Sequence, residues 1–288
     1  MELDFIIFEM TSLRYYLPII IEANKKNIKS NFFCNWSLKK YNSLNKRRNK
    51  NELKEISSKY NITFYNFVEI SKRLNPVITM EDVGVDFLKT RNKLQKLFSI
   101  NYSADFINNY QNYKNNVDHI FMISKFFANH YNCLNHKNEY LGSPKFDIDL
   151  NKDLIFEKYN LNKNEKYAVL FYPRKRDINK INMSKIFSTL KNLNFKIIVK
   201  TRGKDPVNNF FNRGDFYFID DSWFPHISME LIEISDIVVN FGSAVVEESV
   251  MLNTPIINFD IKPPNKACFN QLYDFDYAKV LSANSSKD

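Results

Sequence analysis

The residues best suited to chemistry stand in SDIVVNFGSAVVEESVMLNTPIINF, residues 235–259. An apolar run, Ile237-Val238-Val239, stops at the small residues Gly242, Ser243 and Ala244, and the adjacent carboxylates Glu247 and Glu248 follow about one helical turn later. Small residues after a strand let the chain turn tightly. The helix that follows points its free N–H groups and the positive end of its dipole at whatever lies beyond the strand, and a phosphate is the group this favours. Gly242 and Ser243 keep side-chain bulk away, so that a diphosphate can approach, and Glu248 is then within reach of ribose hydroxyls. An ordinary strand, turn and helix with both acids solvated satisfies the same residues, and local physics leaves the two readings level.

Two further stretches carry cations at strand ends: Arg174, Lys175 and Arg176 in YAVLFYPRKRDIN, and Lys200 and Arg202 in FKIIVKTRGKDP. His119, His130, His136 and His226 fall into no Ser/His/Asp or metal-ligand pattern and read as structural. Asp147 and Asp149 have the spacing of a metal-binding acid pair but follow a break at Gly142 and Pro144 rather than a strand end.

Elements of alternating type position these groups. Strands are predicted at 3–8, 31–35, 62–67, 77–78, 97–100 and 119–123, with helices over 13–24 and 52–60. After the break at 138–149 the alternation restarts, with strands at 167–172, 196–200, 216–220, 237–240 and 256–259 and helices at 183–193, 228–234 and 244–252. Strands separated by helices form parallel sheets, so the expectation is an α/β chain of two doubly wound, Rossmann-like domains, 1–143 and 144–288. Ligands of such sheets bind beyond the carboxyl ends of the strands, where the residues above are found.

Composition excludes several classes. With 44% hydrophobic residues and 26 Phe the chain has material for ordinary cores and is not disordered. Cys34, Cys133 and Cys268 are odd in number and widely spaced, which argues against a disulfide framework or zinc site and for a reducing cytosol. No apolar run is long enough to span a membrane, and the acidic N-terminus is not a signal peptide, so the expected location is cytoplasmic or membrane-peripheral. The net charge of +9 is spread through a Lys- and Asn-rich chain. Its densest part, 46–50, reads as a solvated loop before a helix that can face the inner membrane surface. Aromatic and basic residues interleave over 98–131, but no nucleic-acid signature is present and none is expected as partner.

LIEISDIVVNFGSAVVEESVMLNTPII resembles the nucleotide-binding segment of GT-B glycosyltransferases, most of all the superfamily of non-hydrolysing UDP-N-acetylglucosamine 2-epimerases and surface-polysaccharide or teichoic-acid-type transferases. The resemblance implies that Gly242, Ser243 and Ala244 form the donor turn and that Glu248 holds the ribose. It implies contact of Arg174, Arg176, Lys200 and Arg202 with the diphosphate, a place for His226 near the donor, and Thr11, Ser12 and Arg14 facing the cleft from the first domain. Two departures stand out. Thr201-Arg202 replaces the family's His-Pro pair, and LFSINYSAD, where many relatives have His-Gly, offers only Asp105 as a base. The function so implied is metal-independent transfer, with no cofactor, from a nucleotide sugar to a glycan or lipid-linked acceptor. A 2-epimerase and a catalytically silent sugar-nucleotide-binding protein are the alternatives. GT-B chains usually continue past a strand such as 256–259, so VLSANSSKD reads as the tail of a minimal or truncated version.

Overall fold

A computed structural model describes residues 1–7, 10–34, 47–80, 92–101, 117–122, 139–174, 177–201, 217–219, 226–259 and 281–283. Asp105, Lys175, Arg176, Arg202, Cys133 and Cys268 lie outside these residues. The chain divides into two compact units, Met1–Ile148 and Asp149–Asp288. The division falls a few residues past the break read from Gly142 and Pro144 because a single 3-10 turn, Pro144–Phe146, packs on the first unit's opening helix. There the buried Lys145 Nζ stands 5.8 Å from the Tyr15 ring and 4.7 Å from that of Phe146.

In the first unit the described strands are β1 (Glu2–Ile7), β2 (Lys29–Cys34), β3 (Ile62–Asn66), β4 (Val77–Met80), β5 (Leu97–Ile100), β6 (His119–Met122) and β7 (Glu139–Tyr140). They form one parallel sheet in the order β3-β2-β1-β4-β5-β6-β7. Helix α1 (Leu13–Lys25) joins β1 to β2, and α2 (Arg47–Tyr60) leads into β3. The basic run expected as a loop thus enters α2 from Arg47 onward. The sheet sets Phe5 and Phe32 against Tyr16 of α1, all three fully buried, and the Tyr16 hydroxyl donates to the Ile6 carbonyl at 2.8 Å. Burial without water raises the Tyr16 phenol well above its ordinary pKa.

Alternation puts polar residues on the other face of β1 and β2. Asp4 and Asn31, both fully buried, bond at 2.9 Å, and Arg73 Nε donates to Asp4 Oδ2 at 2.9 Å while its Nη2 bonds Glu2. The Arg73 guanidinium also lies over the rings of Phe33 and Tyr65, 5.6 and 5.0 Å from their centroids.

The second unit has α3 (Lys152–Lys158), β8 (Tyr167–Phe171), α4 (Met183–Asn192), β9 (Lys196–Lys200), β10 (Tyr217–Ile219), α5 (Ile227–Glu233), β11 (Ile237–Asn240), α6 (Val245–Met251), β12 (Ile256–Phe259) and β13 (Leu281–Ala283). The parallel order is β10-β9-β8-β11-β12-β13. In sequence terms this is 3-2-1-4-5-6, the Rossmann order. β13 pairs with β12, so the tail expected to be frayed contributes a strand. Every residue of β8 is buried, as a parallel strand covered on both faces requires. α3, α5 and α6 cover the face carrying Val169, Ile198 and Val238, whereas α4 covers the face carrying Ala168, Leu170 and Val199.

Helix ends explain how a chain with only 5 Gly makes its turns. Asn27, Asn61, Asn160, Asn194 and Asn253 adopt positive φ just past α1, α2, α3, α4 and α6. Asn tolerates the left-handed region because its short amide bonds locally. At four of these ends the next amide bonds back to the carbonyl five residues earlier: Ile28 to Ala23, Leu161 to Phe156, Phe195 to Leu190 and Thr254 to Ser249, at 2.9–3.0 Å.

Candidate functional site

In a parallel sheet each crossover helix begins at the carboxyl edge of the strands. The order of the second unit reverses between β8 and β11, so the loops after these two strands leave in opposite directions and open a crevice at their carboxyl ends. One side of it is Tyr172-Pro173-Arg174, after β8. The other is the turn 241–244, between β11 and α6.

The turn is held from below. Asn240 ends β11 and Asn258 stands beside it in register on β12, at 0% and 1% exposure. Asn240 Nδ2 donates to Asn258 Oδ1 at 2.8 Å and to the Ser243 carbonyl at 3.2 Å. Ser243 Oγ donates to Asn240 Oδ1 at 2.6 Å, and the Gly242 N–H donates to Asn258 Oδ1 at 3.1 Å. Gly242 has φ +62°, the left-handed conformation that a residue without Cβ adopts freely. One residue on, Phe241 and Phe259 stack at 5.3 Å on the opposite face. Carboxamides on one side and rings on the other therefore fix the ends of both strands.

This network adds to the sequence reading. Gly242, expected to leave room for a diphosphate, has its own amide engaged by Asn258 and so does not offer it to a ligand. α6 spans only Val245–Met251, two turns, so its dipole is short and the geometry of the turn matters more than the helix. The two acids also part company: Glu247 is half-exposed, whereas Glu248 is 2% exposed beside the buried Val245, Val246 and Ser249. A carboxylate taken out of water costs several kcal/mol, on the order of the solvation it loses, unless polar groups meet it. Glu248 is thus not the solvated first-turn acid of the plainer reading.

The remaining candidates among the described residues fall on the carboxyl edges of the two sheets. Arg174 is half-buried, and its carbonyl accepts from the Asp177 N–H at 2.8 Å. Lys200 closes β9, its carbonyl accepts from the Tyr172 N–H at 2.9 Å, and its Nζ donates to the Thr201 carbonyl at 2.7 Å. His226 is the N-cap residue of α5, where its carbonyl accepts from Glu230 N–H at 2.9 Å. In the first unit Thr11 and Ser12 form a 3-10 turn after β1, and Arg14 lies in the first turn of α1. That turn follows β1, beside the point where this sheet also reverses, between β1 and β4. Among the described residues no three His, Cys, Asp or Glu side chains gather as a metal site would need.

The Asn pair was missed in the sequence, although a signal was there: an Asn-Phe pair stands at the carboxyl end of both strands, at 240–241 and 258–259. In parallel strands at the right register such a repeat brings like residues together.

No known protein family matches the chain, and no curated protein does. Solved structures do. The UDP-GlcNAc 2-epimerase of Neisseria meningitidis bound to UDP-GlcNAc is 12% identical, with a TM-score of 0.61 over 92% of this chain and 84% of that one. The UDP-GlcNAc 2-epimerase of Methanocaldococcus jannaschii is 15% identical, with 0.59 over 90% and 83%. The wall teichoic acid polymerase TagF with CDPG is 14% identical, with 0.58 over 96% and 73%. The fold is GT-B. Both units are Rossmann-like in strand order, and the likeness runs through both rather than through the better-resembling second unit alone. No helix among the described residues is long and apolar enough to cross a membrane.

Proposed function

We propose that this GT-B chain takes a nucleotide-activated sugar, or a related nucleotide-linked group, in its second unit and transfers it to a glycan or lipid-linked acceptor of a surface polysaccharide. The observation that carries the reading is the reversal of strand order between β8 and β11, which sets the Arg174 loop against the Gly242-Ser243 turn, with buried Glu248 directly behind that turn. Solved neighbours described with UDP, with UDP-GlcNAc and with CDPG support a ligand of this class.

In this reading Glu248 accepts from the ribose hydroxyls. Arg174, Arg176, Lys200 and Arg202 offset the charge that grows on the departing diphosphate, which is why no metal ion is required. His226 borders the nucleotide from the start of α5. The acceptor side of the reaction falls to the first unit, with Thr11, Ser12 and Arg14 as contacts and Asp105 as the base that takes the hydroxyl proton.

The epimerase is the second reading, favoured by the neighbours described as UDP-GlcNAc 2-epimerases. Incubation with UDP-, CDP-, GDP- and ADP-sugars separates the possibilities. Transfer needs an added acceptor, epimerisation yields an isomer without one, and a silent binder is stabilised against heat with no turnover. Arg174→Ala should lower turnover at least tenfold while leaving the melting temperature within a few degrees, because a half-exposed loop Arg contributes little to folding. Full activity in that variant would remove Arg174 from the reaction.

A further inference from the structure

The nucleotide site proposed above leaves one feature without a use: two fully buried carboxamides at the ends of β11 and β12, where the residues just before them, Val238, Val239 and Ile256, are apolar. Stability does not call for them. When both partners of a buried hydrogen bond are replaced together by apolar groups of like shape, the change is often neutral or stabilising. What the pair does supply is a fixed turn, because its bonds run to the Gly242 amide, the Ser243 hydroxyl and the Ser243 carbonyl. These groups hold the backbone at Gly242 in its left-handed conformation and turn the Ser243 side chain inward, toward the strands.

We propose that Asn240 and Asn258 are positioning residues for the nucleotide: they set the turn 241–244 before ligand arrives, and affinity for a nucleoside diphosphate depends on them although neither touches it. The inference rests on the reading of the site given under Proposed function. A loop ordered in advance loses little freedom on binding, so its ordering is not charged against affinity. A loop released from the pair has to be ordered by the ligand.

The test compares the unsubstituted chain with N240L/N258L, with N258L alone and with N258D. UDP, CDP, GDP and ADP are titrated by calorimetry, melting is followed, and exchange of the Gly242 amide is read by NMR. The double variant should melt within a few degrees of the unsubstituted chain yet bind its best nucleotide at least tenfold more weakly, with Gly242 protection lost. N258L leaves the buried Asn240 amide without its Asn258 acceptor and should melt lower than the double variant, in which that amide is gone and the released Gly242 and Ser243 groups are part-exposed to water. N258D retains the acceptor and should retain Gly242 protection. In the unsubstituted chain Gly242 should be protected before any nucleotide is added.

A double variant that folds and binds within twofold of the unsubstituted chain would overturn the positioning role alone. So would Gly242 protection that appears only with nucleotide, a readout that needs no variant to fold. No binding of any of the four by the unsubstituted chain would overturn the nucleotide reading and this role with it.

Discussion

Glu247 and Glu248 are neighbours in sequence, but only Glu248 is carried to the inside of α6, and burial rather than charge makes it the residue to test. Glu248→Ala is expected to weaken binding of a nucleoside diphosphate by about 1–3 kcal/mol, the scale of losing one buried hydrogen-bond partner. Titration calorimetry reads this directly, and unchanged affinity would take Glu248 out of the site. Glu2 gives a prediction of a different kind. The hydrogen bond from Asn31, acting against partial burial and helped by the Arg73 charge, holds its carboxyl below the ordinary value. The stability it contributes is therefore present above the unfolded value of about 4.3 and is lost as pH falls through the lower folded one. On acid titration the unsubstituted chain should lose stability more steeply below about pH 4.3 than Glu2→Gln does, as followed by chemical denaturation at each pH. Parallel slopes would contradict this. Cys34 is a buried free thiol whose pKa burial raises, so slow reaction with thiol reagents in the folded state is expected there.

At the scale of elements, much of the architecture was legible before any coordinates. The strands at 97–100, 119–122, 196–200, 237–240 and 256–259 were readable because a buried parallel strand is a short apolar run with little polar alternation. α3 escaped because only Ile155 of its seven residues is fully buried, too little for a helical period to show. β13, Leu281-Ser282-Ala283, escaped because a three-residue strand at a sheet edge needs no apolar run. The role of Asn at helix ends was hidden by composition: abundant Asn reads as solvated loop, and only backbone angles reveal it in the place of Gly. This too can be tested. Asn253→Ala, at the end of α6, should destabilise by about 1 kcal/mol because Ala meets the left-handed penalty, whereas Asn253→Gly should not. Equal melting of both variants would show that this helix end does not depend on the residue. In the candidate site, small residues and acids were visible in the sequence, but the bond from Gly242 to Asn258 was not. It joins residues sixteen apart through strand register, which no local pattern carries.

At the scale of the whole molecule, the strand order of each of the two parallel sheets reverses once, and each reversal lies beside residues of chemical interest: Thr11, Ser12 and Arg14 in the first unit, Arg174 and the 241–244 turn in the second. In the proposed function the nucleotide falls to the second unit and the acceptor to the first. The central claim concerns the second unit and is reached most directly by hydrogen exchange with and without UDP, CDP, GDP or ADP, read by mass spectrometry across the intact chain. Protection by at least one of the four, concentrated in 172–174, 200–201 and 240–248, is the expected result. Exchange unchanged by all four nucleotides, or protection that spares the 240–248 segment, would contradict the account.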